Sequence, residues 1–170
     1  LRKRFTEYVS HPITSGNKWQ YISWAKSVDG VGDAKCLPLW NGAGTVKVII
    51  VDSEKQLAGS ELINKVQSYI DEQCPIGADV TVTTATAVSI NVTFSADVDE
   101  STIESIKSNI RSYLRDVSFA NGYVSYAKIG QTILNTDGVD DYSNLKVNSK
   151  TENIAISETE IAVLGGVAVG

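Results

Sequence analysis

The chain has 170 residues, of which 42% are hydrophobic and 21% are charged, so it has enough apolar side chains to bury a globular core. Its net charge of -5 argues against nucleic acid as the main partner, because duplex binding depends on clustered Lys and Arg. Two cysteines and no apolar run of about 20 residues argue against a disulfide scaffold and a membrane span.

The sequence contains no methionine, so residue 1 is not expected to be a natural start. We expect the chain to be the C-terminal part of a longer protein. The small basic group Arg2, Lys3 and Arg4 is expected to be a solvated helix end.

Two short helices are predicted first, as an N-terminal arm over residues 1–31. The first is RKRFTEYV, and the Pro and Gly of HPITSGN separate it from the second. The second places apolar residues three apart from Trp19 to Val28, with Ser15 or Asn17 available as N-cap.

The stretch LPLWNGAGTVKVIIVD carries two glycines beside an Asn, which fits either a phosphate-binding loop or a turn. Apolar runs at residues 34–40 and 45–52 predict a strand on each side. The stretch lacks the following helix and third glycine of a dinucleotide site and the lysine of a P-loop. Asn41-Gly42 therefore predicts a β-hairpin, because both residues tolerate a positive φ.

A helix, two strands and a second helix are predicted next. The first helix covers residues 58–73, and the strands are ADVTVTTA and TAVSINVTFSADV, the latter alternating apolar and polar residues. Ser101 and Glu104 match a capping box for a helix that ends near residue 117. The inward face of the first helix is predicted to consist of Leu62, Ile63, Val66, Tyr69 and Ile70.

This order predicts an α+β fold, namely a ferredoxin-like (split βαβ) two-layer sandwich over residues 32–120. The remaining residues 121–170 contain a predicted helix at 125–134 and the short strands NLKVN, NIAIS and EIAVLGGVAV. We expect this small strand-rich C-terminal region to pack on the parent sheet or on a neighbouring chain.

Candidate catalytic and metal-binding residues are sparse. His11 is the only histidine, and no Ser or Cys lies in a nucleophile motif. The acidic segment DGVDD lacks the spacing and trailing Glu of a calcium loop, so it is interpreted as a turn. No catalytic, cofactor-binding or metal-binding residue is predicted.

The tryptophans Trp19, Trp24 and Trp40 lie in the N-terminal third of the chain. Such residues are common both in cores and at binding hot spots, and the sequence leaves both alternatives open.

Several motifs occur together in a familiar order. They are PITSGNKWQYISWAKSVDGVGDAKCLPLWNGAGTVKVIIV, YIDEQCPIGADVTV, GVDDYSNLKVN and NIAISETEIAVLGGV. From about residue 4 to 168, the chain resembles the C-terminal part of the baseplate-J-like family, in particular the branch of PBSX-type prophages, contractile tails and tailocins.

The resemblance implies a structural, non-enzymatic wedge protein in a contractile-tail baseplate. Its implied partners are other wedge and hub proteins and further copies of itself. It implies no cofactor and no small-molecule substrate, and a location in the virion tail baseplate after assembly in the bacterial cytoplasm. We expect the interface to include Trp19, Trp24, Trp40, Asn41, Tyr142, Ile154, Ile156, Ile161 and Val163.

Two other functions remain as alternatives. Ferredoxin-like sandwiches also serve as small-ligand-binding regulatory domains, an alternative that rests on fold analogy alone. A hydrolase using Asp97, Glu104, Asp137 or Asp140 has only the acidic composition in its favour.

Overall fold

A computed structural model describes residues 16–120 and 122–170, which form a mixed α+β structure. The chain forms two compact units, which meet in sequence between Ala85 and Thr86 and are described separately below as unit 1 and unit 2. The predicted helix RKRFTEYV and His11 lie outside the described residues. The described helices are α1 (Lys18–Ser27), α2 (Ser60–Gln73), α3 (Glu100–Val117) and α4 (Tyr126–Leu134). The described strands are β1 (Val31–Pro38), β2 (Thr45–Asp52), β3 (Asp79–Thr84), β4 (Thr86–Ser95), β5 (Tyr123–Val124), β6 (Ser143–Val147), β7 (Ile154–Ala155) and β8 (Glu160–Val169).

Unit 1 is a three-stranded sheet of order β1-β2-β3 with α1 and α2 packed against it. β1 and β2 are antiparallel, whereas β2 and β3 are parallel and are joined through α2. β2 is rich in β-branched residues, which favour a pleated, buried strand. The core of this unit contains Tyr21, Ala25, Val28, Ala34, Cys36, Val48, Ile50, Ala58, Val66, Ile70, Val80 and Val82.

Two helix predictions in unit 1 agree with the structure. α1 begins after Asn17, whose side-chain oxygen accepts a hydrogen bond from the Gln20 N–H at 3.0 Å. In α2, Val66 and Ile70 of the predicted inward face are fully buried, while Tyr69 is 36% exposed at its margin. The apolar stripe thus located the buried face but overestimated its width.

The predicted β1–β2 hairpin is present, but its turn differs from the predicted one. The connection contains six residues, Leu39 to Gly44, and φ is positive at Leu39 (60°), Gly42 (106°) and Gly44 (81°). Asn41 is not among the residues with positive φ. The chain therefore reverses through a longer loop rather than a two-residue Asn-Gly turn.

Unit 2 is built on a three-stranded sheet of order β6-β4-β8, with α3 against β8 and α4 against α3. β4 is the central strand, antiparallel to β6 and parallel to β8. Its alternating pattern is confirmed, because Ile90, Val92 and Phe94 are buried. The short strands β5 and β7 form a separate antiparallel pair.

The predicted capping box at the start of α3 is replaced by a different cap. Asp99 is the N-cap, and its carboxylate accepts hydrogen bonds from the Thr102 N–H at 2.7 Å and the Ser101 hydroxyl at 2.9 Å. Glu104 instead accepts a charge-assisted hydrogen bond from Lys107 Nζ at 2.6 Å. Asp99 precedes Ser101 by two residues and satisfies the free N–H groups of the first turn.

The ferredoxin-like prediction is not confirmed, because β3 and β4 belong to different sheets. β3 ends at Thr84 and β4 begins at Thr86, so one residue separates strands that a split βαβ sheet would combine. The division between the two units therefore falls inside the predicted domain 32–120 and differs from the predicted boundaries after residues 31 and 120. The C-terminal strands β6 and β8 are the neighbours of β4. The C-terminal region thus pairs with a strand of the same chain, which is one of the two predicted alternatives.

Candidate assembly surface

The described residues contain neither a candidate metal-binding group nor a reactive Cys36 thiol. No group of three or more His, Cys, Asp or Glu side chains in residues 16–120 and 122–170 is placed to hold a metal ion. Burial raises the pKa of the Cys36 thiol to about 11, so this group is a neutral, packed side chain near pH 7. Within the same ranges, none of the helices has the length and apolar character needed to cross a bilayer.

A groove of about 350 Å³ lies where β4, β6 and β8 run together in unit 2. Its polar lining comes from Thr93, Ser95, Asn144 and Lys146, of which Thr93, Asn144 and Lys146 are exposed. Ligand sites typically have a few convergent polar groups in an apolar enclosure. This groove lacks such a buried polar group and has the character of ordinary surface.

The most distinctive surface feature is at the tip of the β1–β2 hairpin. Trp40 is 42% exposed, and the Lys47 ammonium lies 3.8 Å from the centroid of its ring. The Asn41 N–H donates to Thr45 Oγ1 at 3.0 Å, and the Thr45 hydroxyl donates to the Gly42 carbonyl at 2.8 Å. The loop is therefore held in shape while its indole remains at the surface.

The connection between α2 and β3 lies beside this loop. The Asp79 N–H donates to the Gly44 carbonyl at 3.0 Å, and Thr45 is paired with Asp79 in the β2–β3 ladder. Ile76 in this connection has a relative exposure of 107%, so its side chain makes almost no contact within the described chain. Leu39, Trp40 and Ile76 thus lie at the same end of the sheet, and we call them the hairpin-tip patch.

Leu39 adds a conformational feature to the hairpin-tip patch. Its φ of 60° lies in the left-handed region, and its side chain is 66% exposed. A branched apolar residue is unfavourable in this region, and its exposed side chain gains little from burial. The stability of unit 1 alone does not account for leucine at this position.

The predicted interface residues of unit 1 fall into two groups. Trp40 and Asn41 are exposed at the hairpin tip. Trp24 is half-buried, packs against the core of unit 1 and meets Tyr21 edge-on with ring centroids 5.2 Å apart. Trp19 is half-buried, with the Lys18 ammonium 4.8 Å from its ring centroid. Trp24 is thus used largely in packing.

The predicted interface residues of unit 2 are mostly occupied in packing. Tyr142, Ile154 and Ile156 are half-buried against the core of this unit, and Tyr142 meets Phe94 edge-on. Ile161 is fully buried, so its side chain is not available to another chain in this conformation. Val163 is half-buried and does not belong to the core of unit 2, so it retains a partly free side chain.

Leu39 and Ile76 were not singled out from the sequence, although they carry most of the exposed apolar surface at the hairpin tip. The available signal was an isoleucine enclosed by Pro75 and Gly77, where a turn leaves a large side chain without a packing partner. Leu39 gave no comparable signal, because it follows directly on an apolar run that predicts a strand.

Comparison with known families assigns both units. The family model described as "Baseplate J-like central domain" matches residues 13–84. The model described as "Baseplate J-like protein C-terminal domain" matches residues 86–170. The junction between these matches coincides with the junction of the two structural units.

Curated relatives match the chain almost from end to end. The phage-like element PBSX protein XkdT of Bacillus subtilis (strain 168) is 37% identical over 182 residues, which covers 99% of this chain and 52% of the relative. The baseplate protein gp47 of Escherichia phage Mu is 25% identical over 178 residues, covering 97% of this chain and 49% of the relative. The chain thus spans about half the length of these relatives.

A solved structure shares the fold at low sequence identity. A chain of the cryo-EM structure of the anti-feeding prophage baseplate aligns with a TM-score of 0.67 and 7% identity, over 99% of this chain and 40% of the other. At this identity the likeness establishes the fold alone.

Proposed function

The chain belongs to the baseplate J-like family, and we propose that it is a structural component of a contractile-tail baseplate, acting as a wedge protein through protein–protein assembly. The observation that carries the proposal is that matches to this family cover both compact units. The relatives in prophage PBSX and in phage Mu support the same role.

The proposal includes the partners and the place of action. Other baseplate wedge and hub proteins are the partners, and further copies of the full-length protein associate with each other in the tail baseplate. The protein does not act as an enzyme, and it uses neither a small-molecule substrate nor a nucleic acid. Assembly takes place in the bacterial cytoplasm before the finished tail is released.

The hairpin-tip patch is the surface of unit 1 that we assign to a neighbouring baseplate protein. Tryptophan, tyrosine and arginine side chains supply much of the binding energy at protein interfaces when a partner fully covers them. Trp40 with the stacked Lys47 ammonium offers such an anchor, and Leu39 and Ile76 add apolar area beside it. Leu39 keeps an unfavourable backbone conformation here because its side chain serves binding rather than folding.

The role in the baseplate is tested by deleting the gene in the producing strain and examining the particles by electron microscopy. We expect sheaths and tubes without complete baseplates, and restored particles when the gene is supplied in trans. Gold-labelled antibody against the protein should mark the baseplate end of the tail. Normal, infective or bactericidal tails in the deletion strain would disprove the role.

The hairpin-tip patch is tested by complementation with Trp40→Ala and Ile76→Ser. Both side chains are exposed, so we expect folded protein but fewer complete baseplates, because a hot-spot truncation costs about 2 kcal/mol or more of binding. Leu134→Ser is the matched control, since Leu134 is 45% exposed and lies outside the patch. Equal assembly by all three variants would remove the patch from the interface.

No observation favours the regulatory-domain alternative over the baseplate role. The alternative depended on a ferredoxin-like sheet, whereas the described strands form separate β1-β2-β3 and β6-β4-β8 sheets. The hydrolase alternative gains no support from Glu104, whose carboxylate is paired with the Lys107 ammonium. Asp99 caps α3, and Glu104 forms an ion pair with Lys107 on the same helix. Both are structural uses of acidic residues near a helix N-terminus.

A further inference from the structure

β8 has one edge without a strand partner in the part of the chain that the structure describes. It pairs with β4 on one side along its whole length and is the last strand of the β6-β4-β8 sheet. From Ile161 to Val169 it contains no charged residue and no proline. A long apolar edge of this kind readily pairs with another chain unless something covers it.

The other edges of the two three-stranded sheets are protected. In β3, the Gln67 side chain accepts from the Val82 N–H at 2.7 Å and donates to the Val80 carbonyl at 2.9 Å. In β6, the Leu145 carbonyl accepts from the Tyr126 hydroxyl at 2.9 Å, and Lys146 adds a charge. β1 carries Asp33, Lys35 and Pro38, which oppose edge pairing in the ways that natural edge strands use. After Glu160, its first residue, β8 has none of these devices.

The side chains of β8 follow a two-fold symmetric pattern about the Gly165–Gly166 bond. The register against β4 shifts by one residue there, because Ile90 pairs with Leu164 and Asn91 with Gly166. A Cβ built on either glycine would point toward the Asn91 side chain, so both glycines face the sheet surface away from the core. In both directions along the strand from this bond, the next three side chains point toward the core, away from it and toward it again. The matched positions are Leu164 with Val167, Val163 with Ala168, and Ala162 with Val169.

This symmetry fits a second copy of β8 as the partner of the free edge. Two strands that pair antiparallel place directly opposed residues on the same face, and a two-fold axis through the Gly165–Gly166 bond places the matched positions opposite each other. Val163 then faces Ala168 of the second copy on the outer face, while Leu164 faces Val167 on the core face. No like-charged side chains meet at the matched positions, because residues 162–169 carry no charged side chain.

We propose that β8 pairs antiparallel with β8 of a second copy of this chain, centred on Gly165–Gly166, to form a continuous six-stranded sheet. The pairing deepens the proposed function and rests on it, because self-association of copies is part of the baseplate role. It names the strand, the register and the symmetry of that self-association.

Cysteine cross-linking tests the register. The variant Val163→Cys with Ala168→Cys places two thiol pairs across the two-fold axis at cross-strand distance, within reach of a disulfide. Cys74→Ser is added to remove the half-buried native thiol, while the buried Cys36 stays. We expect oxidised dimer from the double variant. Each single variant is the control and forms no covalent dimer, because the two copies of its new thiol lie five residues, or about 17 Å, apart across the strand pair. Equal cross-linking by the singles would overturn the register.

Charge pairs test the same contact without a covalent bond. Val163→Lys with Ala168→Lys opposes two pairs of like charges, whereas Val163→Lys with Ala168→Glu opposes two pairs of unlike charges. We expect sedimentation equilibrium to give a dimer about tenfold weaker for the first variant than for the second. Both carry Val163→Lys, so any damage to folding is shared and the difference reports the charge at residue 168.

The outcomes for the pairing and for the baseplate role are separate. Wild-type chain that stays monomeric up to millimolar concentration, or charge variants with equal dimer affinity, would overturn the β8 pairing. Neither result touches the baseplate role, which depends on the deletion phenotype and on the location of the protein in tails.

Discussion

At the scale of single residues, Leu39 combines a left-handed backbone with a side chain that is 66% exposed. Glycine adopts this backbone without steric cost, so we expect Leu39→Gly to stabilise unit 1 by about 0.5–1 kcal/mol. All three tryptophans lie in unit 1, so their fluorescence during urea unfolding reports this unit.

The control for Leu39 is Leu57→Gly. Leu57 is 43% exposed, and its φ is not positive, so glycine there relieves no strain, adds freedom to the unfolded chain and removes the covered part of the side chain. We expect this variant to lose about 0.5–1 kcal/mol. A loss of stability in Leu39→Gly would show that the leucine contributes to folding and would weaken its assignment to binding.

Asp99 is a second residue whose role follows from its contacts. The Thr102 N–H, together with the hydroxyls of Thr102 and Ser101, holds the pKa of Asp99 below its usual range. A lowered folded-state pKa stabilises the protein above the unfolded carboxyl value of about 3.9. This contribution disappears as the pH falls through the lowered folded-state pKa.

We therefore expect Asp99→Asn to retain capping but to reduce the loss of unit 2 stability in acid, because an amide accepts the same hydrogen bond and does not titrate. Asp99→Ala should lower stability already at neutral pH. Circular dichroism during urea unfolding at neutral and acid pH measures both effects. Asp97→Asn is the control, since Asp97 is exposed and lies before the first residue of α3. An unchanged acid dependence in Asp99→Asn would contradict the assignment.

At the scale of elements, α4 approaches β6 and its flanking residues through a glycine. A Cβ at Gly130 would overlap the Tyr142 hydroxyl and lie 3.2 Å from its ring carbon ζ. Alanine is normally the better helix residue by about 1 kcal/mol. Overpacking reverses that preference here, so we expect Gly130→Ala to destabilise unit 2 by about 1–3 kcal/mol.

Tyr142→Phe removes the overlapping hydroxyl and should restore part of the lost stability of Gly130→Ala. Circular dichroism during urea unfolding of the wild type, both single variants and the double variant gives the coupling energy. We expect about 1 kcal/mol, because the residues are in direct contact. Additive effects of the two substitutions would mean that α4 shifts to relieve the contact.

The elements themselves could largely be predicted from the sequence, whereas their caps and turns could not. The strand β4 buries every second residue, and the helix α3 buries every third or fourth residue. Both periods are visible directly in the sequence. The cap at Asp99 and the loop after Leu39 depend on which of several suitable residues meets a free N–H or takes a positive φ. Several neighbouring residues are chemically suited to each cap or turn, and tertiary packing determines which of them occupies it.

At the scale of the whole molecule, strand pairing was the part that local patterns did not determine. β3 and β4 are adjacent in sequence, yet β4 takes as neighbours β6 and β8, which follow it by about 50 to 75 residues. The family resemblance placed the chain correctly because it draws on the order of all motifs. The hairpin-tip patch was only partly predictable. The sequence predicts Trp40 as an interface residue, whereas the exposure of Ile76 depends on the tertiary arrangement of the α2–β3 connection beside the hairpin loop.

The two units have separate cores, which leads to a prediction about folding. The core of unit 1 runs from Tyr21 to Val82 and that of unit 2 from Ile90 to Ala162, with no residue in common. All strands of the β6-β4-β8 sheet, and the helices α3 and α4, lie after Ala85. Because every buried contact within the core of unit 2 comes from its own sequence, residues 86–170 should fold alone.

This is tested by expressing residues 86–170 and recording a two-dimensional amide NMR spectrum and a thermal melt. We expect dispersed resonances and one cooperative transition, since a domain of about 85 residues with a continuous core is large enough to be stable. Ile106→Ala is the control for a native core, because Ile106 is fully buried on α3 and its truncation should cost about 2–5 kcal/mol. Collapsed resonances in the wild-type fragment would show instead that unit 2 requires the rest of the chain to reach its native packing.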